Sequence, residues 1–425
     1  MKELGRGFGG VSDSVGVYIS VPFCRAKCTY CNFASGVFGA ERMDAYVDRV
    51  CGEVAHVRRA ALGMGAELPQ RVDTIFLGGG TPSLLSAEQM GRLFGAVRGE
   101  FEVVRGAEVT LECAPGQVGE ETLDAMLRLG MNRVSFGVQS FVDAEARAVG
   151  RLHTREMCLA EIGRMRAAGL RELNVDLIVG LPGQTAESWR ESVEVAIGSG
   201  VPHVSVYMLE VDEDSRLGRE MLSAGEKYGA GRVPGEDEIA EWYGGACGWL
   251  EGAGIRQYEI SNFAREGSAS RHNVKYWRRE GYVGFGLDAH SMLRDGSGAV
   301  RWANGDDLDR YLGGDEIRRF RPASGMTILN GGDVSGVAAS EDGGPQMRRV
   351  GREEGFEEAM FLGLRMSEGV DLEVLRGEFG GLVDGVGEAL GDAVDAGLVV
   401  MEGGRVRLTG AGRMASNEVF SRLLS

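Results

Sequence analysis

Six short apolar or β-branched runs, each trailed by a helix-like stretch, constrain the fold of this 425-residue chain more than any other feature. The runs are Val15–Ser20, Val72–Leu77, Glu108–Glu112, Arg133–Val138, Leu173–Val179 and His203–Met208. Helical periodicity follows the first two at about Ala40–Leu62 and Ser86–Val97. Repeated βα units need parallel strands joined by helical crossovers, and more than about five in succession suit a full or partial barrel better than an open doubly wound sheet. No dinucleotide-binding glycine fingerprint opens the first unit. The predicted fold is therefore α/β, with a partial (β/α)6 barrel over residues 1–230 and an extension over 231–322.

Past residue 230 the rhythm weakens, and Gly331–Pro345 is rich in Gly, Ser and Ala, which predicts a flexible insertion over 323–350. Periodicity returns as a helix over Phe356–Met366, two shorter helical stretches and a hairpin over Leu398–Leu408. Residues 351–425 thus read as a small winged-helix-like C-terminal domain. Its acidic excess argues against DNA, leaving a docking or lid role.

The formal net charge of -17 repels phosphate backbones, so nucleic acid is not expected as a partner. Met1–Ser14 lacks the apolar core of a signal peptide, and no later stretch holds about 18 uninterrupted apolar residues. A cytoplasmic chain without a transmembrane segment is expected.

Three of the seven cysteines, Cys24, Cys28 and Cys31, crowd one loop after the first strand. Positions i, i+4 and i+7 also define one face of a helix, where cysteines act as small apolar residues. Structural zinc would need a fourth ligand, such as Cys51 or His56. The third reading is a [4Fe–4S] cluster with one iron left open. An open iron can chelate the amino and carboxylate groups of S-adenosylmethionine (SAM), so that an electron entering the cluster can pass to the sulfonium. Such chemistry needs a shielded cavity, and a barrel mouth supplies one. The strand ends carry Gly79, Thr81, Glu112, Gln139, Asp176 and Glu210, which predicts a shared cleft at that mouth. Cys51, Cys113, Cys158 and Cys247 read as inert thiols, and His56, His153, His203 and His290 as structural.

The CxxxCxYC loop resembles that of the radical SAM superfamily, and Gly78–Pro82 resembles its glycine motif. Ser135–Phe141, Arg151-Leu152-His153, Asn174–Ile178 and Gly180–Thr185 are similar to oxygen-independent coproporphyrinogen III oxidases and the related HemW-type heme chaperones. The resemblance spans most of residues 15–290 and the unit from about 356. It implies a radical SAM barrel in which Cys24, Cys28 and Cys31 hold the [4Fe–4S] cluster. Tyr18, Gly79 and Glu112 would hold SAM, and Tyr30 would stack on adenine or pack. Gly80, Thr81, Gln139, Arg151 and Asp176 match oxidase positions that contact a second SAM. An electron donor to the cluster is implied as a partner.

Two features separate the branches. The oxidases carry a fourth cysteine two residues after the third, where this chain has Phe33, and a longer segment ahead of the loop. Arg271–Arg279 matches the HNxxYW motif of the chaperones through His272, Asn273, Tyr276 and Trp277. The resemblance implies that His272 ligates heme iron while the aromatic pair packs on the macrocycle. Arg271, Lys275, Arg278 and Arg279 would then meet the propionates. Leu287 and Asp288 depart from the proline and small residue of the family's glycine-rich turn, and Ala114 from its asparagine. The expectation is a heme chaperone that passes heme to an acceptor protein, the alternative being oxidative decarboxylation of coproporphyrinogen III.

Overall fold

The computed structural model describes residues 13–296, 298–313 and 346–423. Six strands follow the six runs: β1 (Ser14–Val21), β2 (Arg71–Gly79), β3 (Glu102–Cys113), β4 (Arg133–Gln139), β5 (Glu172–Val179) and β6 (His203–Met208). They lie side by side in chain order, and every adjacent pair is parallel. Helices Glu41–Gly63, Ala87–Glu100, Glu120–Leu129 and Ala186–Gly198 cross between them. Both faces of β1 are buried, as a parallel strand covered by helices requires. Local signals set the helix starts: Ser86 and Gln89 form a reciprocal capping box at one, and Thr185 and Ser188 at another.

The sheet continues past both ends of this run. On one side β8 (Asn262–Ala264) and β7 (Arg256–Glu259) add antiparallel strands to β6. On the other, β9 (Tyr282–Phe285) pairs in parallel with β1, from Gly16 opposite Tyr282 to Ile19 opposite Phe285. Antiparallel strands β10 (His290–Asp295), β11 (Gly298–Ala303) and β12 (Gln346–Val350) complete a mixed sheet of twelve. Side chains from β1 through β6 line a single cavity, so the sheet curls around an interior as a partial barrel does. The weakened rhythm past residue 230 has a physical origin here, since short strands, antiparallel except where β9 meets β1, replace βα units.

Gly331–Pro345 lies outside the described residues, whereas Gln346–Val350, placed in the same insertion from sequence, is a strand paired with β11. The C-terminal unit opens with helix Arg352–Arg365 and closes with a hairpin of Val399–Glu402 against Arg405–Leu408. Val370–Asp371 adds a third strand to that hairpin. The unit has its own core, including Met360, Leu364, Leu375, Phe379, Leu390 and Val406.

Buried charge joins this unit to the barrel. Arg278 pairs with Glu368 at 2.7 Å, and Arg279, 2% exposed, with Glu358 at 2.9 Å and Glu378 at 3.7 Å. Arg301 reaches Glu358 at 3.1 Å, and Arg365 reaches Glu259 at 3.4 Å. Backbone contacts complete the junction, with Ser367 N donating to the Tyr258 carbonyl at 2.9 Å.

The basic cluster expected to face heme propionates is therefore corrected for three of its members. Arg278 and Arg279 serve the domain junction, and Lys275 is buried between Asp73 at 2.9 Å and Glu280 at 3.0 Å. An acidic chain spends these cations on its own carboxylates, because unpaired charges in that interior would be costly.

Breaking a buried pair from one side strands the remaining charge. Arg279→Ala is expected to destabilise the reconstituted protein by about 3 kcal/mol, the low end of that range, because Arg294 and Arg301 still neutralise Glu378 and Glu358. Anaerobic denaturant unfolding measures it; a change under about 1 kcal/mol would show that the junction is solvated.

Candidate active site and cargo cleft

The cysteine loop runs directly from the end of β1. Its backbone is tied to the chain following β2: Gly80 N donates to the Val21 carbonyl and Thr81 N to that of Phe23, both at 2.8 Å. A side chain at Gly80 would place a Cβ 2.8 Å from those two carbonyls and 3.0 Å from Cys24 Sγ, so only glycine fits this approach. All three thiols are free. Burial pushes the Cys24 and Cys31 thiols above their usual range, with Ser35 opposing as a hydrogen-bond partner of both. Arg151 reaches Cys28 Sγ at 3.4 Å.

The nonhelical loop removes the reading of the cysteines as one face of a helix. Among the described residues, no three His, Cys, Asp or Glu side chains converge as one metal ion requires. Three thiolates of an iron–sulfur cube stand on three different irons and need no common point. The donor set fits the cube better than it fits zinc.

Behind the loop, the cavity of about 200 Å³ is lined by side chains two residues apart on successive strands. These are Thr110 and Glu112 on β3, Ser135 on β4, Asn174 and Asp176 on β5, and Ser205 on β6. Glu112 accepts from Gly79 N at 3.1 Å. Burial, then the neighbouring charge of Asp176, raises the Glu112 carboxyl to about 8 against the lowering effect of the Gly79 N–H. Asp176 is itself raised by burial, while bonds from Ser205, Asn174 and Ser135 act the other way. Tyr18 stands on β1 beside them, its hydroxyl raised by burial and by Glu112.

Tyr18, Glu112 and Asp176 share the cavity, and Gly79 joins it through Glu112. Asp176 lies in the middle of β5, so its placement at a strand end is corrected, while Glu210 is exposed beyond β6. Gln139 ends β4 with φ +70° and a buried Oε1 that has no hydrogen-bond partner, a strained acceptor of the kind found at ligand sites. Tyr30 packs on Val149, Ile178 and Leu181. Ala114 costs the Glu112 contact nothing. The inward-facing partners Thr110, Ser135, Asn174 and Ser205 were missed, although period-two polar residues on otherwise buried strands carry the signal.

The HNxxYW segment forms helix Arg271–Trp277, capped by Ser270. The buried Glu108 carboxylate accepts from Arg271 N at 3.0 Å and His272 N at 2.9 Å, neutralising the positive end of the helix. His272 is 1% exposed, its Nδ1 lies 2.8 Å from Thr74 Oγ1, and its Nε2 lies 2.9 Å from the Tyr276 hydroxyl. Burial, then Lys275, lowers it to about 3, so the ring is neutral. A neutral imidazole has one donor and one acceptor nitrogen, and both are engaged. In this position the His272 ring orients Tyr276 and presents no uncommitted nitrogen to the cleft. Asn273 lines the cavity, whereas Trp277 faces the C-terminal unit, with the Arg365 guanidinium 4.4 Å above its ring.

A second cleft, of about 280 Å³, opens beside the cysteine loop. Tyr18, Phe33, Tyr276 and Tyr282 supply its aromatic lining, and Ser35, Gly79, Asp288 and His290 its polar edge. Tyr276 and Tyr18 line both cavities, so the two are neighbours. Phe33 is 60% exposed there.

Comparison with known proteins matches the Radical SAM superfamily over residues 18–196 and the HemN C-terminal domain over 351–415. The heme chaperone HemW of Bacillus subtilis is 32% identical over 411 residues, covering 96% of this chain and 98% of its own length. The heme chaperone HemW of Mycobacterium tuberculosis is 31% identical over 421 residues, covering 96% and 94%. Among solved structures, coproporphyrinogen III oxidase (HemN) from Escherichia coli has a TM-score of 0.76 at 21% identity, covering 97% of this chain and 91% of its own; this likeness is one of fold. With barrel and C-terminal unit both matched and relatives above 30% identity aligned almost end to end, the chain belongs to the HemW family of the radical SAM superfamily.

Proposed function

We propose that this chain is a heme chaperone: it binds one heme as cargo beside a SAM-dressed [4Fe–4S] cluster and passes the heme to an acceptor protein. Membership of the radical SAM superfamily implies the cluster and SAM, and the relatives bear the name heme chaperone. One observation carries the reading. Phe33 and Tyr276, from the two sequence features that separate chaperone from oxidase, are 243 positions apart, yet they line one cleft against the cysteine loop. A flat apolar macrocycle suits an aromatic-lined cleft with an exposed phenyl ring at its edge.

Cys24, Cys28 and Cys31 would hold three irons of the cluster, releasing their protons on binding. When bound, cluster and SAM supply one-electron chemistry at a sulfonium. The chain contributes positioning. The glycine turn lets backbone groups approach SAM, Gln139 Oε1 offers a free acceptor, and Glu112 and Asp176 offer buried carboxyls to its ammonium or ribose. Arg151, beside Cys28, offsets part of the negative charge of the thiolates. Gly80 and Thr81 tie the start of the loop to the end of β2, Tyr30 packs under it, and His272 with Asn273 fixes the face of the helix that presents Tyr276.

Glu112 yields a pH prediction. Its value of about 8 lies above the ordinary 4.5, so the folded, SAM-free protein keeps this carboxyl protonated at pH 7. Its contribution to stability is complete below about 4.5 and is lost as the pH rises through about 8. A cation brought beside it favours the carboxylate, so SAM binding at pH 7 is expected to release up to about one proton. Calorimetry in buffers of different ionisation enthalpy measures this, and Glu112→Gln is expected to abolish the release and weaken SAM by about tenfold.

Anaerobic reconstitution followed by parallel assays tests the function itself. Stoichiometric heme binding with little decarboxylation is expected; robust conversion of coproporphyrinogen III with SAM and reductant would replace the chaperone reading with the oxidase.

A further inference from the structure

If heme is the cargo, its iron needs a ligand, and the HNxxYW histidine has no free nitrogen. We propose that His290 is the protein ligand to the heme iron, a deepening that rests on the heme reading above. Sequence alone groups His290 with three structural histidines, and those three fit that role. His203 is buried between Asn174 Oδ1 at 2.6 Å and the Tyr258 hydroxyl at 2.9 Å. His153 Nε2 is 3.0 Å from the Val138 carbonyl, and His56 Nδ1 is 2.7 Å from that of Gly52. His290 alone among the five both lines the aromatic cleft and is exposed.

Its chemistry is that of a prepared ligand. Nδ1 lies 3.0 Å from the Asp288 carbonyl oxygen, which can only accept, so the neutral tautomer that fits this contact carries its hydrogen on Nδ1. The Nε2 lone pair is then available, and among the described residues no hydrogen-bond partner occupies it. Iron-bound imidazoles use this arrangement: the second nitrogen donates to a carbonyl or carboxylate, which fixes the tautomer, orients the ring and raises its basicity.

The backbone under His290 is built to hold it. A Cβ on Gly284 would come within 2.3 Å of the His290 carbonyl oxygen and 3.0 Å of its nitrogen, so glycine permits β9 to pass directly beneath. Gly286 N donates to the buried Glu53 carboxylate at 2.9 Å, and Leu287 N to the Tyr46 hydroxyl at 2.8 Å. Asp288, which departs from the family's small residue, takes φ +55°, a left-handed conformation that Asp tolerates better than most side chains. Its N–H donates to the Gly305 carbonyl at 3.0 Å. The turn thus aims its Asp288 carbonyl at Nδ1 with little freedom to move away. Tyr276 and Tyr282, ring centroids 4.5 Å apart, form an aromatic wall of the same cleft, and Phe33 stands on the cysteine loop at another edge.

Full-length, anaerobically reconstituted protein titrated with ferric heme tests the assignment by Soret absorption and resonance Raman. Wild type should show histidine ligation. His290→Ala should lose that signature and weaken heme by about tenfold or more, with free imidazole restoring the signature. Its cluster absorbance should stay unchanged, which reports an intact fold. His272→Ala should retain histidine ligation. Wild-type spectrum and affinity in His290→Ala, or loss of ligation in His272→Ala alone, would overturn the assignment while leaving heme binding intact. Absence of heme binding in wild type would overturn both the assignment and the chaperone reading.

Discussion

Parallel pairing of β9 with β1 is the contact on which the site depends. The cysteine loop leaves the end of β1, while β9 sits between the HNxxYW helix and His290 in sequence. Hydrogen-bonding these strands in parallel register brings residues 270–290 against residues 18–35, although about 250 positions separate them. Gly16 makes this possible on the inner face. A Cβ there would meet Thr74 Oγ1 at 2.9 Å and the His272 ring at 3.3 Å, so the missing side chain leaves room for the imidazole.

Around that pairing, charge is handled by burial in pairs. Glu108 holds the start of the HNxxYW helix, Asp73 and Glu280 hold Lys275, and Glu358 and Glu378 hold Arg279. The helix is therefore fixed at both ends, by the barrel at its beginning and by the C-terminal unit at its close. Only Tyr276 is left to reach toward both cavities, with His272 holding its hydroxyl. A segment that looks in sequence like a basic, ligand-seeking surface becomes the rigid wall of a cleft. The polar surroundings differ sharply across that wall. The deep cavity holds Glu112 and Asp176 in a poorly solvated interior, which suits a cation, while the outer cleft offers aromatic rings and one uncommitted imidazole nitrogen.

Much of the barrel was legible because its signals are local. The six apolar or β-branched runs became six parallel strands, the helical periodicity beginning at Ser86 became a helix, and the cysteine spacing singled out the loop. Glu112 and Asp176 were legible as acidic residues in apolar strands, although Asp176 proved to be mid-strand. The short strands after residue 230 were not, because three- and four-residue strands carry too little periodicity and owe their pairing to the sheet already formed.

The sequence by itself determined the chain's repeated βα order, the trio of thiols and the likeness to the heme-chaperone branch, since each is written in residues that are neighbours along the chain. Only the tertiary structure decided which histidine has a nitrogen to spare. His272 and His290 carry the same side chain, and what separates them is the position of Thr74 and Tyr276 around one ring and of a single carbonyl beside the other. Hydrogen-bond partners drawn from distant strands set the tautomer and availability of an imidazole, and no spacing along the chain encodes them.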